Sequence, residues 1–315
     1  MVTNVALCAS LLAPALLMPG AAARAGGMRL GTSRLTALLH WLGDFESSER
    51  KVTSQNGEDG VLLHLIDFLG SGAKTYVEFG VQDASESNTR WLRESHGWSG
   101  LLMDGGYQND SINLRKEFIT TNNVASLLNK HGFAADRPLD ILSVDTDCFD
   151  FWITRALLDA GYRPRILINE INTAVQIAPP VAISVPHPAD MRSSHFFTKG
   201  YNAESLYTAT CWDNSGVGVS AFMGASTSAF WRLYRAYGYS MVYCESKGAN
   251  CFGVRDDLVA MSPSDFLKDH HVYRVPHLTK KHCGFYKPAK MRKWVHVCSP
   301  HCNESFGPEH PGPTW

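Results

Sequence analysis

The sequence has little net charge and lacks a long apolar run. Lys and Arg number 29 against 30 Asp and Glu, so the formal net charge is -1. Electrostatic binding to nucleic acid needs an excess of basic residues, so we predict no nucleic-acid partner. No apolar stretch reaches the length that a transmembrane helix needs, and no internal repeat is visible. Binding must therefore depend on a pocket.

The N-terminus lacks the positive charge that usually precedes the apolar part of a signal peptide. An apolar run over residues 5–18 is nevertheless followed at 20–26 by small residues of the kind that signal peptidase prefers. We predict a cleaved signal peptide over 1–26, a mature protein in the secretory pathway (lumenal or secreted), and no stable membrane span after cleavage. An uncleaved anchor or an organelle-targeting segment is the alternative.

The cysteines lack the Cys-x-x-Cys pair of a zinc knuckle. We therefore favour disulfides or solvated histidines over a zinc site for the C-terminal group Cys283, Cys298, Cys302, His282, His296 and His301. Cys244 and Cys251 flank a predicted turn at 247–248 between two strand-like runs. Because a hairpin would bring these two cysteines together, we predict a local disulfide.

Alternating strand and helix patterns predict an α/β protein with a parallel sheet. The five strands of this pattern are predicted at 75–80, 99–104, 116–120, 140–145 and 165–171. Helices are predicted at 34–42, after an N-cap at Asn56, at 151–158 and at 225–237, and a terminal hairpin at 240–244 and 250–255. The predicted organisation is a leading helical segment (27–50), one domain (51–262) with an insertion (178–216), and a Cys/His-containing tail (263–315).

Gly80 is all that remains of a Gly-x-Gly-x-x-Gly pattern after the first predicted strand. A second apolar run stops at Asp104, at the spacing of about 25 residues expected for a βα unit. A glycine at this turn lets the backbone approach a ligand, and an acid after the second strand accepts hydrogen bonds from ribose hydroxyls. The pair predicts a nucleotide-type ligand.

Acidic and amide side chains follow the fourth and fifth predicted strands. The residues concerned are Asp145, Asp147, Asp150, Glu170 and Asn172. The carboxyl ends of adjacent parallel strands share one crevice, so we expect these side chains to converge there. Oxygen ligands suit Mg, Mn or Ca, and a cation would relieve the repulsion between the carboxylates. In the alternative interpretation, Asp147 or Asp150 caps the helix that follows, and the other side chains form hydrogen bonds with a substrate.

The motifs in order resemble those of FkbM-like, S-adenosylmethionine-dependent methyltransferases over roughly residues 51–258. The resemblance lies in residues 54–60, 77–83, 87–90, 97–104, 142–147, 170–172, 224–226 and 250–255. It implies a Rossmann-like methyltransferase fold, which is α/β with a mostly parallel seven-stranded sheet and an antiparallel last strand. It also implies the cofactor S-adenosylmethionine.

The resemblance assigns roles to residues of this chain. Glu78, Gly80 and Asp83 would line the methionine part of the cofactor site, Asp104 would hold the ribose, and Gln55 would approach from the preceding helix. Asp145 would lie beside the transferred methyl group, with Asp147, Glu170 and Asn172 on the acceptor side; these four are the candidate catalytic and metal-binding residues.

Two departures from the family pattern bear on activity. Ala84 stands where a glycine usually follows the aspartate, and Cys148-Phe149 replaces a usual Gly-Asn. The predicted activity is O-methylation of a sugar, a glycan or another hydroxylated small molecule. The alternatives are a non-catalytic binding protein on the same scaffold and a metal-dependent enzyme that uses the carboxylates on sugar phosphates.

Overall fold

A computed structural model describes residues 32–146, 149–171, 183–184, 225–259, 294–298 and 302–306. The chain divides into two units, Met1–Leu39 and His40–Trp315. The helix α1 (Thr32–Gly43) covers the predicted leading helix, and a short helix α2 (Phe45–Ser48) follows it. The elements described below belong to the second unit.

Helix α3 (Glu58–Leu69) begins later than the sequence predicts. Its N-cap residue is Gly57, without a side-chain cap. The predicted cap at Asn56 is wrong, because the N-cap is Gly57, and the N–H and side-chain amide of Asn56 donate instead to the carboxylate of Glu58 (2.8 and 3.1 Å). The helix ends before Gly70, whose positive φ of 68° breaks the helical path.

The remaining elements alternate between strands and helices. In chain order they are β1 (Thr75–Phe79), α4 (Arg90–Ser95), β2 (Ser99–Asp104), β3 (Leu114–Lys116), α5 (Val124–Lys130), β4 (Ile141–Val144), α6 (Asp150–Asp159), β5 (Ile166–Glu170), β6 (Ile183–Ser184), α7 (Thr227–Ala236), β7 (Tyr239–Cys244), β8 (Asn250–Arg255), α8 (Asp256–Val259), β9 (Trp294–Cys298) and β10 (Cys302–Phe306). The predicted third strand at 116–120 is wrong in position, because pairing with β2 begins at Leu114 and its last paired residue is Lys116.

Seven strands form one mixed sheet in the order β3-β2-β1-β4-β5-β8-β7. The pairs among β1 to β5 are all parallel, whereas β8 is antiparallel to both β5 and β7. The α/β class, the mostly parallel seven-stranded sheet and the antiparallel final strand are therefore confirmed. Every residue of β1 and β4 is buried, so both faces of the sheet centre are covered.

The main core fills one face of this sheet. Alternate strand residues such as Val77, Phe79 and Leu142 pack there with side chains of α5, α6 and α7. The six residues of β7 are all buried, and Tyr234 of α7 packs directly against Gly253 of β8. Helices and sheet thereby fix the strand ends in relation to one another.

A second, three-stranded sheet joins segments that are distant in sequence. Strand β9 pairs antiparallel with both β6 and β10. The predicted insertion therefore contributes β6 to the same sheet as two strands of the predicted tail, which the weak sequence pattern of the tail did not indicate. The backbone register places Cys298 opposite Cys302. Cys283, His282 and His301 lie outside the described residues.

Candidate functional site

The order of the strands reverses between β1 and β4. From β1 the sheet continues to β2 and β3 on one side, and from β4 to β5 on the other. In open α/β sheets this switch point opens a crevice outside the carboxyl ends of the strands, where ligands bind. Gly80 follows β1 and Asp145 follows β4, so these two residues lie at the switch point of the sheet.

Gly80 is required by a close approach between backbones. Its φ is +73°, and a Cβ atom at this position would collide with the carbonyl oxygen of Asp145. The Gly80 N–H donates to the carbonyl oxygen of Met103 at the end of β2 (2.9 Å). A side chain is therefore excluded at the point where three strand ends meet.

The loop after Gly80 contains two further residues with positive φ. Gln82 has φ +50° and Ala84 has φ +65°, although neither is a glycine. Ala84 is buried, and its N–H donates to the carbonyl oxygen of Val81 (2.7 Å). Glycine would adopt this conformation freely, whereas alanine is strained there by roughly 1–2 kcal/mol. Such strain is concentrated at functional sites.

Asp104 lies at the end of β2 and connects the loop after Gly80 to the turn after β2 by hydrogen bonds. Its carboxylate accepts hydrogen bonds from the backbone N–H groups of Gln82 (2.8 Å) and Gly106 (2.7 Å). A carboxylate has about four lone-pair sites, so these two bonds leave acceptor capacity. The side chain is half-buried at the end of β2.

Glu78 and Asp83 have different environments. Glu78 is buried, and its carboxylate accepts hydrogen bonds from the N–H of Asn88 (2.6 Å) and from the N–H and hydroxyl of Thr89 (3.0 and 2.5 Å). Burial raises the pKa of Glu78, and the bonds to Thr89 and Asn88 oppose that rise. These contacts hold the start of α4, and the role of Glu78 in the cofactor site stays a prediction.

Asp83, by contrast, is exposed. Its carboxylate accepts a hydrogen bond from the N–H of Ser85 (2.9 Å), and hydrogen bonding to Ser85 lowers the pKa of Asp83. The carboxylate therefore stays ionised at the surface of the strained loop. Its role as a cofactor ligand stays a prediction.

Gln55 lies in the loop before α3 and not in a helix, which corrects the predicted approach. The loop is shaped by Asp59, whose buried carboxylate oxygen Oδ2 accepts the N–H groups of Val52, Thr53 and Ser54 (2.8, 2.8 and 2.7 Å). Gln55 itself is exposed next to these anchored residues. The sequence run therefore specifies a loop that is anchored by Asp59 and leaves Gln55 exposed.

Three carboxylates converge at the ends of β4 and β5. Oxygen atoms of Asp145, Asp150 and Glu170 all lie within 4.8 Å of one another, an arrangement that could hold a metal ion. Asp150 is fully buried and accepts hydrogen bonds from the N–H and hydroxyl of Thr146 (2.5 and 3.1 Å). Asp147 and Asn172 lie outside the described residues.

This cluster confirms the predicted convergence for Asp145, Asp150 and Glu170. Asp150 was not among the four predicted metal ligands, because the sequence also allowed it to cap the following helix. The N-cap of α6 is Phe149, and Asp150 is the first helical residue. The four-residue spacing from Thr146 to Asp150 was the available signal, because it lets the acid fold back on the turn that follows β4.

The sequence matches none of the known protein families and none of the characterised proteins with which it was compared. Among the described residues, no helix is both long enough and apolar enough to cross a membrane. The geometry at the strand ends is therefore the basis for assigning a function.

Proposed function

We propose that this protein is an S-adenosylmethionine-dependent methyltransferase that methylates a hydroxyl oxygen of a sugar, a glycan or another small molecule. One observation carries the proposal. The Gly80 turn lies at the switch point of the sheet, with the Asp104 carboxylate on the β2 side and Asp145 on the β4 side. This arrangement suits a nucleoside-containing ligand whose reactive end points toward β4.

The sheet order supports a Rossmann-like methyltransferase fold. The order β3-β2-β1-β4-β5 is that of the doubly wound nucleotide-binding sheets, and the antiparallel β8 agrees with the fold implied by the resemblance to FkbM-like enzymes. The positive φ of Ala84 explains why that family usually has glycine here. The departure at Ala84 therefore keeps the backbone conformation at the cost of local strain.

The residues at the carboxyl ends of the strands are compatible with methyl transfer by direct displacement. S-adenosylmethionine supplies a methyl group that is already activated by its sulfonium, so the protein mainly has to orient the two reactants. Asp104 would hold the ribose, and Gln55 and the Gly80 loop would enclose the remainder. Asp145 would accept the proton of the acceptor hydroxyl while the hydroxyl oxygen forms a bond to the methyl carbon. The electron pair of the broken carbon–sulfur bond would return to sulfur.

Calorimetry with S-adenosylmethionine and its demethylated product tests the cofactor assignment. We expect dissociation constants in the micromolar range for both. ATP and NAD serve as control ligands and should bind much more weakly. Methyl transfer is then measured from labelled cofactor to sugars and other hydroxylated acceptors. Binding without transfer to any acceptor would favour the non-catalytic alternative, and failure to bind either cofactor form would contradict the proposal.

A metal-dependent enzyme acting on sugar phosphates is the second candidate, and the cluster of Asp145, Asp150 and Glu170 favours it. These carboxylates would hold Mg, Mn or Ca, which would polarise a phosphoryl or hydroxyl oxygen. The same ion would also be compatible with methyl transfer by lowering the pKa of the acceptor hydroxyl. Metal binding that is accompanied by no affinity for S-adenosylmethionine would favour this second candidate.

A further inference from the structure

Two buried carboxylates lie close to the turn between β7 and β8. Glu245 follows β7 and Glu58 begins α3, and both side chains are fully buried. Among the ion pairs of the described residues, none includes Glu58 or Glu245. Burying two like charges without a paired cation costs electrostatic free energy, so protonation of one of the two carboxyls would relieve the repulsion.

Glu245 organises the turn through its backbone. Its carboxylate accepts the N–H groups of Lys247 (2.6 Å), Ala249 and Asn250 (3.2 Å). Burial raises the pKa of Glu245 to about 7, and the charge of Glu58 adds to this effect against the opposing backbone hydrogen bonds. The carboxyl of Glu245 therefore changes charge in the physiological range.

Asn250 joins Glu245 to Glu58. Its N–H donates to Glu245, while its side-chain amide donates to Glu58 (2.9 Å). Glu58 also accepts the N–H (2.8 Å) and the amide (3.1 Å) of Asn56, next to Gln55. Asn250 is 4% exposed, and its Oδ1 atom has no hydrogen-bond partner among the described residues. A proton in this cluster would supply a donor.

The turn is tied to the loop before α3 at a second point. The Glu49 carboxylate accepts hydrogen bonds from the Tyr243 hydroxyl (2.6 Å) and from the N–H and hydroxyl of Ser246 (both 2.6 Å). The charged groups around Glu245 are thus Glu58 from α3, Glu49 beside Ser246, and Lys247, whose side chain is exposed. On β5, Glu170 lies opposite Asn250.

We propose that the β7–β8 turn, residues 245–250, is a pH-dependent element that opens more readily when Glu245 is ionised. Ionised Glu245 lies near Glu58 and forms no ion pair among the described residues, since the Lys247 side chain is exposed, whereas protonated Glu245 relieves that repulsion. Because Asn250 and Ser246 bind Glu58 and Glu49, opening of the turn removes its hydrogen bonds to both ends of the loop that presents Gln55, and only the contacts within the loop, such as those to Asp59, remain.

The sign of the pH dependence follows from proton linkage. The pKa of Glu245 is higher in the closed turn than in a solvated open turn, so protonation of Glu245 stabilises the closed turn, and this contribution is fully present below the ordinary glutamate pKa. That contribution is lost as the pH rises toward and through about 7. The closed turn is consequently more stable in mildly acidic solution than in mildly alkaline solution.

Native-state amide hydrogen exchange, corrected for the intrinsic pH dependence of exchange, tests the proposal without any ligand. We expect the protection of the amides of 247–250 to fall by about tenfold or more between about pH 5.5 and 8.5, since one pKa unit is tenfold in an equilibrium constant. Glu245→Gln should abolish this pH dependence. The exposed Glu86→Gln is the control and should preserve it.

Glu58→Gln provides an independent variant. Removal of the facing charge should lower the pH at which protection changes, as should be visible in the carboxyl resonance of Glu245 in glutamate-labelled protein. Protection that does not change with pH in the wild type would overturn the proposal. So would a transition that persists in Glu245→Gln, or a Glu245 resonance that titrates at the pH of an ordinary exposed glutamate.

A second arm of the experiment rests on the proposed function. If S-adenosylmethionine binds with the help of Gln55, its affinity should weaken over the same pH range in the wild type and stay constant in Glu245→Gln. A turn transition without any cofactor binding would contradict the methyltransferase proposal alone. If the cofactor binds with the same affinity on both sides of the turn transition, the proposed link between the turn and Gln55 is wrong.

Discussion

Gly80 and Asp145 touch through their backbones: a Cβ atom on Gly80 would collide with the carbonyl oxygen of Asp145. The contact joins the turn after β1 to the turn after β4. These are the two strand ends between which the sheet order reverses. The position of Asp145, and with it the carboxylate cluster, therefore depends on the absence of a side chain at residue 80.

Gly80→Ala should lower the free energy of unfolding by roughly 3 kcal/mol, because it combines left-handed backbone strain with a backbone collision. Gly97→Ala is the matched control, since Gly97 has φ +69° and open space around it. We expect that control to cost only about 1 kcal/mol. Urea denaturation measures both variants, and equal losses would contradict the importance of the contact with Asp145.

Asp104→Ala should weaken the binding of S-adenosylmethionine by about tenfold or more, which is about 1.4 kcal/mol. The variant removes both the proposed ribose acceptor and the carboxylate that holds the N–H groups of Gln82 and Gly106. Asp104→Asn retains one oxygen and should lose less affinity. Asp110→Ala removes an exposed acid that pairs with Arg115 and should leave affinity unchanged. Unchanged calorimetric affinity in Asp104→Ala would refute the assignment.

The double variant Asp145→Asn, Glu170→Gln should lose any stoichiometric divalent cation. It removes two of the three charges in the cluster but keeps the shapes of the side chains and the turn held by Asp150. Asp159→Asn, at the exposed end of α6, is the control. Elemental analysis and calorimetric titration with Mg, Mn and Ca measure the effect. If the wild type binds none of these ions and a chelator changes nothing, the prediction of a divalent cation at the three carboxylates is wrong.

Cys244 and Cys251 are paired across β7 and β8 with their sulfur atoms at disulfide distance, a geometry that agrees with the disulfide that the hairpin pattern predicts. Cys244→Ser together with Cys251→Ser should lower the free energy of unfolding by roughly 2 kcal/mol, because the bridge restricts a short loop of the unfolded chain. A matching fall in the wild type after reduction is the control. Equal stability of oxidised and reduced protein would contradict the prediction.

The secretory assignment makes a separate prediction for the native host. In an oxidising lumen, non-reducing peptide mapping should recover Cys244 and Cys251 as one bridged pair and the N-terminus in cleaved form. Recovery of both cysteines as free thiols on a chain that retains its first residues would overturn the assignment. The same digest shows whether Asn109 or Asn303, each in a glycosylation sequence, carries a glycan.

Local patterns in the sequence determined the architecture of this protein. Alternation of strands and helices predicted the mostly parallel sheet, and acids directly after two strands predicted the convergence of Asp145, Asp150 and Glu170. Gly80 could be singled out because a glycine directly after a buried strand is typical of a turn that has no room for a side chain. These inferences succeed because periodicity and strand ends depend on neighbours along the chain.

Only the tertiary structure decided which partner each polar group takes. Glu78 turns inward to Thr89 and not toward an open crevice, and Asn250 binds Glu58 across 192 residues of sequence. The positive φ of Gln82 and Ala84 likewise runs against the preference of both residues, in a loop whose Gln82 N–H is held by Asp104 at the end of β2. Such contacts join segments far apart in the chain, and their energies depend on burial and on neighbouring charges that no local pattern encodes.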